Sequence, residues 1–152
     1  MFTSYQGVTV KSILFIISLV LFSSNTLADT LPSKDKAKEL AKSVMAEMGK
    51  GNMEAGTKLT KPYLMVPEHE YFALIDQMKM QQPIIDQRFG KTISVEVAAI
   101  EEVGESLMLI LYLQKFDKHV LRWKFYFYKP RNEWVLNTFM FDDQIQTMFQ
   151  VQ

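Results

Sequence analysis

The chain has 152 residues, 17 basic and 17 acidic side chains, and no cysteine. The balanced charge gives no global attraction to nucleic acid or to an anionic membrane. The missing thiols exclude a disulfide framework, thiolate metal sites, cysteine nucleophiles and a lipid-anchored amino terminus.

The amino terminus differs from the rest. Lys11 precedes the charge-free apolar run Ser12–Phe22, and "SSNTLA" then ends at Ala28. A positive start, a short apolar core and small residues before a cut describe a secretory signal peptide. The run has 11 residues, short of the roughly 20 that a spanning helix needs. Cleavage before Asp29 is expected, with Thr26 and Ala28 at the small-residue positions, and the protein is expected to be periplasmic or secreted. Residues 1–28 are thus the leader and 29–152 one domain, without a membrane span after cleavage. Lys11 leaves with the leader, so 16 bases face 17 acids in the mature chain.

Ser33 is placed to cap a first helix. Ala37, Leu40, Ala41, Val44, Met45 and Met48 follow at spacings of three and four, one apolar stripe. The lysines of "KAKELAK" fall on the wet side, a solvated face rather than a membrane-surface helix. Gly49 and Gly51 end the stripe, and Asn52 opens a short second helix through Leu59. A third helix begins near Pro67 and carries Phe72, Leu74, Ile75 and Met78. Pro83 is expected to kink or restart it before Ile84, Ile85 and Phe89, and Gly90 to stop it. The ten methionines mostly occupy helical apolar positions and suit adaptable core filling.

After Gly90 the pattern alternates. Strands are predicted at Thr92–Val103, Ser106–Phe116, His119–Lys129 and Glu133–Phe141, joined by turns at Gly104, Asp117-Lys118 and "KPRN". Short connections make this an antiparallel meander, because parallel pairing needs long crossovers. The expected fold class is α+β, with amino-terminal helices packed on a curved four-stranded sheet. Asp142 and Asp143 are positioned to cap a last helical turn through Ile145, Met148 and Phe149.

Turn positions fix register. They predict Tyr112 opposite Trp123, Ile110 opposite Phe125, Trp123 opposite Thr138, Phe125 opposite Leu136, Val97 opposite Ile110 and Val95 opposite Tyr112. One face then carries Ile93, Val95, Val97, Ala99, Met108, Ile110, Tyr112, Leu121, Trp123, Phe125, Phe127, Trp134, Leu136 and Met140. It must be the face under the helices. The other face carries Leu107, Leu109, Leu111 and Leu113 beside Arg122, Lys124, Tyr126 and Tyr128, with Glu96 across Leu111 from Lys124. Lysine and arginine stems can cover leucine while their charges reach water. A leucine strip with tyrosines also suits a protein contact, and a homodimer through Leu109, Leu111, Arg122, Lys124, Tyr126 and Tyr128 is one expectation. The aromatics and cations of "VLRWKFYFYKP" separate by parity, which argues against a nucleic-acid platform.

The segments "IIDQRFGKTISVEV" and "WKFYFYKPRNEWVLNTFMF" resemble the NTF2-like, SnoaL-like cone fold. In that superfamily a helix ends just before the first strand, and an aromatic strand turns into a strand opening on tryptophan. The resemblance spans about Lys34 to Phe141 and is similar to the small exported members. It implies helices followed by a strongly curved antiparallel sheet wrapped around them. That fold hosts enzymes, binding modules and assembly domains alike. Enzymes of the superfamily often place an acid or base inside the cone, and the resemblance makes Tyr112 and Asp76 the catalytic candidates here. A modest apolar pocket is expected between Tyr112, Trp123, Phe125 and the helices, with Phe72 among its lining, and would take a small apolar ligand.

His69, in "PEHEY" at a helix start, and His119, closing a turn, offer no converging set of three or four metal ligands. No phosphate-cradling glycine loop, nucleophile elbow or dinucleotide fingerprint occurs, and no cofactor is expected. The leading expectation is a non-catalytic binding or interaction module. The alternative is a small-molecule enzyme of isomerase or hydrolase type. A cone filled by Met45, Met48, Met78, Phe72 and the sheet aromatics would favour the first, and a hollow one the second.

Overall fold

The computed structural model describes residues 28–149. The leader lies outside the described residues except for Ala28. Three helices, α1 (Lys34–Gly49), α2 (Met53–Lys58) and α3 (Glu68–Phe89), precede strands β1 (Thr92–Val103), β2 (Leu107–Phe116), β3 (Val120–Tyr128) and β4 (Val135–Asp142). The strands form one antiparallel sheet in the order β1-β2-β3-β4, and a 3-10 turn, Ile145–Met148, follows. This is the expected α+β arrangement of helices and meander.

The Ser33 hydroxyl accepts the Lys36 amide at 3.2 Å, and the Asn52 side chain accepts the Ala55 amide at 3.1 Å, so both expected caps form. All six stripe residues of α1 are buried. α3 is not restarted at Pro83 but runs on through it, although Pro83 lacks the amide hydrogen that the Lys79 carbonyl would have accepted. Its buried face is Tyr71, Ile75, Met78, Ile85 and Phe89. Phe72 is 52% exposed and Ile84 is exposed. The spacing 71-75-78-82-85-89 is one unbroken helical stripe, and its polar member, Gln82, accepts the Met53 amide at 3.0 Å. Phe72 and Ile84 lie one position off that stripe.

Between β2 and β3 the predicted pairs Tyr112–Trp123 and Ile110–Phe125 are present. The two outer registers are corrected. β1 pairs Val97 with Tyr112 and Val95 with Gln114, because a three-residue connection replaces the expected two-residue turn and β1 carries bulges at Thr92/Ser94 and Val97/Ala99. Val95 packs against the core, whereas Ile93 and Val97 are exposed. β4 pairs Phe141 with Trp123 and Phe139 with Phe125, and a bulge then brings Leu136 opposite Phe127. Phe139 is therefore buried and Met140 faces out. Trp134 stays in the core, but outside the strand, by bridging Leu31. The Glu96 carboxylate meets Lys115 at 3.2 Å rather than Lys124, a consequence of the shifted β1 register.

Candidate functional site

The concave side of the sheet is filled. Trp123 and Phe125 are 0% exposed, and Met45, Met48 and Met78 from the helices are buried with them in one core. Tyr112 meets Phe125 edge-on with centroids 6.1 Å apart, and Phe139 stacks on Phe125 at 5.9 Å. The four expected pocket residues do not line a common cavity: three are buried and Phe72 points outward against Tyr71.

A buried glutamine organises this interior. Gln114 donates to the Met48 carbonyl at 2.7 Å and the Thr92 hydroxyl at 2.9 Å, and its carbonyl oxygen accepts the Trp123 indole N–H at 2.8 Å. One amide thereby joins the end of α1 to three strands. Its place in the alternating pattern of β2 marks it as inward-facing, a polar residue where leucine would be expected. That parity was the signal in the sequence.

Burial pushes the Tyr112 phenol above its ordinary pKa, so at neutral pH it holds its proton and is a poor base. Asp76 is on the solvent side of α3. The two catalytic candidates are not brought together. His69 is exposed in the first turn of α3. His119 packs edge-on against Phe89 at 4.6 Å and sits 3.8 Å from Asp143. Among the described residues no group of three metal-ligating side chains forms, and no helix is long and apolar enough to cross a membrane.

A cleft of about 840 Å³ lies elsewhere. It lies between Ala28–Asp29, the end of α2 and the start of α3, with Leu64, Val66 and Tyr71 among its lining. Its charges are mixed. Lys58 is held by Glu54 at 2.6 Å, and Lys61 lies over the rings of Tyr71 and Phe72, 3.7 Å from Glu68. No acid-base pair or anion cradle follows from that set.

On the convex face the leucines of β2 point outward, as the alternation predicts. Leu109, Leu111 and Leu113 are half-buried, and Leu107 and Tyr128 are exposed. At one end the charges are closed into a clasp. Arg122 Nε donates to Asp142 Oδ1 at 2.7 Å, Lys124 Nζ lies 2.6 Å from Asp142 Oδ2, and Arg122 Nη1 donates to Thr147 Oγ1 at 2.6 Å. The carboxy-terminal turn thus covers Arg122, which is buried. Arg122 is therefore committed within the chain, and the free part of this face is the leucine-tyrosine portion. The clasp was not legible because it depends on the shifted β4 register.

The clasp predicts an acid response. Burial works to raise the Asp142 pKa, but hydrogen bonds from Lys124, the Gln144 amide and Arg122 outweigh it and hold the carboxyl below its ordinary value. A depressed folded pKa contributes stability that is complete above the unfolded value, about 3.9, and is lost as pH falls through the folded one. The turn Ile145–Met148 should therefore stay docked down to about pH 4 and detach below it. The Thr147 amide shift in an NMR titration reports this. A shift that stays constant through that range would contradict the clasp.

No protein family, curated protein or solved structure matches the chain.

Proposed function

We propose that the chain is an exported, non-catalytic interaction module of NTF2-like type that pairs with a second copy through the convex face of its sheet. The observation that carries this reading is the row Leu107, Leu109, Leu111 and Leu113, flanked by Tyr126, Tyr128 and Met140, with no described element packed over it. Exposed apolar patches of this kind mark contacts in monomeric soluble folds.

Two further features favour a copy of the same chain. Four strands at about 4.8 Å spacing and some nine residues long present a face of roughly 20 by 30 Å. With side-chain relief that approaches the roughly 800 Å² per partner of a standard stable interface. The cations of the face are already matched within the chain, Arg122 and Lys124 by Asp142 and Lys115 by Glu96, which leaves Glu101 at the β1 margin as its unpaired charge among the described residues. Two identical faces can then meet through the leucine row with little unpaired charge between them.

The enzyme alternative is disfavoured by the filled interior and by the separation of a buried, protonated phenol from an exposed carboxylate. A small apolar ligand would meet the Leu64–Tyr71 cleft rather than the inside of the cone.

Light scattering on the chain from Asp29 should give the mass of a dimer. Leu111→Asp should give a monomer with its melting temperature nearly unchanged, because Leu111 is half-exposed in the single chain. A wild-type monomer at high concentration defeats the proposal.

A further inference from the structure

The two edges of the sheet are treated differently. The β4 side is bridged at its start by chain segments. Leu31 and Trp134 exchange backbone hydrogen bonds of 2.7 and 2.8 Å, and Leu64 bridges Leu136. Among the described residues nothing bridges β1 on its free side.

An open edge is normally guarded by shortness, lysine, proline, bulges or a covering element. β1 has 12 residues and contains neither lysine nor proline. Its bulges lie at Thr92/Ser94 and Val97/Ala99, so the run Ala99–Val103 pairs regularly with β2. Ile93 is 65% exposed, Val97 51%, Ile100 44% and Val103 69%. Val97 and Ile100 stand opposite Tyr112 and Ile110, which are buried on the concave side. The apolar interior therefore extends out to β1, where α1 packs along the strand but leaves Val97 and Ile100 exposed.

Charge selects among possible occupants. β1 contains Glu96, Glu101 and Glu102 and no cation, and Glu105 follows in the turn. Lys115 matches Glu96 at 3.2 Å and Lys34 matches Glu102 at 2.5 Å. Glu101 and Glu105 are exposed and form no ion pair among the described residues. Pairing with the β1 of a second copy gathers like charge. A two-fold axis between Ala98 and Ala99 sets Glu96 opposite Glu101, and one at Ala99 sets it opposite Glu102.

We propose that the free edge of β1 receives an extended segment of another protein, added as a fifth strand, in which branched apolar residues alternate with lysine or arginine. The apolar side chains continue the concave layer beside Val97 and Ile100. The basic ones fall on the convex side beside Glu96 and Glu101, which pair with the outward residues Leu113 and Leu109. Backbone hydrogen bonds supply the affinity and the glutamates the choice of partner.

The test uses the nitrogen-15-labelled chain from Asp29 and two ten-residue peptides, one alternating valine with lysine and one alternating valine with glutamate. The lysine peptide should slow exchange of the outward-pointing β1 amides by on the order of tenfold, and added salt should weaken its binding. The glutamate peptide should leave β1 unprotected. Glu101→Lys, an exposed change that should leave the melting temperature in place, should weaken the lysine peptide by about threefold and improve the glutamate peptide. The proposal is overturned if neither peptide protects β1, or if both protect it equally. It is also overturned if the protein alone gains β1 protection as its concentration rises, which would assign the edge to a second copy.

Discussion

Replacing Gln114 with leucine should lower the melting temperature of the domain by about 10 °C. The substitution keeps the size and burial of the side chain but removes both ends of its network. The Met48 carbonyl retains the Gly51 amide at 2.9 Å, so it is not stranded. The Trp123 indole N–H has no other acceptor and lies in a side chain that is 0% exposed. An orphaned buried donor costs about 1–3 kcal/mol, and the lost bonds to Thr92 and Met48 add to it. At roughly 4 °C per kcal/mol for a domain of this size, about 2–3 kcal/mol gives the stated shift. The origin of the effect is separable. Trp123→Phe removes the donor, so adding it to Gln114→Leu should cost clearly less than adding it to the wild type. Additive melting-temperature losses would show that the indole bond is not the cause.

Gly90→Ala should be destabilising to a similar degree, about 2–4 kcal/mol, read from urea unfolding midpoints. Gly90 ends α3 at φ 84° and ψ −158°, a region that is almost entirely reserved for glycine. A Cβ there would also lie 2.9 Å from the Asp117 Cβ and 2.8 Å from Asp117 Oδ2. That carboxylate accepts the Lys91 amide at 3.0 Å, and the Lys118 amide donates to the Phe89 carbonyl at 2.9 Å. The end of the helix is thus latched to the hairpin between β2 and β3, and both strain and collision fall on the latch. In an Asp117→Gly background both close contacts are relieved and the backbone strain remains, so Gly90→Ala should cost less there but still more than about 1 kcal/mol. No loss in either background would mean the latch is not a determinant of stability.

These two sites also show where the sequence was readable. Gly90 was expected to stop a helix, and the short Asp117-Lys118 turn correctly fixed the β2–β3 register, because a tight hairpin leaves no freedom of pairing. Longer connections and bulges broke the same arithmetic on both sides. The loop after Gly104 moved the adjoining part of β1 by three positions, a bulge at Val97/Ala99 cut that to two, and the extra residue near Asn137 turned Phe139 inward and Met140 outward. A bulge depends on tertiary fit and leaves no reliable mark in one sequence. The error on α3 was different in kind. Tyr71 and Phe72 are adjacent aromatics, and hydropathy favoured burying Phe72. The continuous stripe through Gln82 instead selects Tyr71, whose hydroxyl is left buried without a partner. The enzymatic candidates came from resemblance rather than periodicity, and periodicity was the better guide to Asp76, which it would have left in solvent. The convex leucine strip was legible from alternation alone.

The absence of cysteine makes disulfide trapping the most direct check on the central claim, that the convex face joins two copies while the concave face is closed. Single-cysteine variants Leu111→Cys and Phe72→Cys would be oxidised at equal concentration and resolved on a non-reducing gel. Leu111 lies in the middle of the leucine row, close to the two-fold axis of a face-to-face pair, whereas Phe72, the more exposed of the two, lies away from that face on α3. Leu111→Cys should convert rapidly to a covalent dimer and Phe72→Cys only slowly. Equal rates, or faster trapping through Phe72→Cys, would contradict the account.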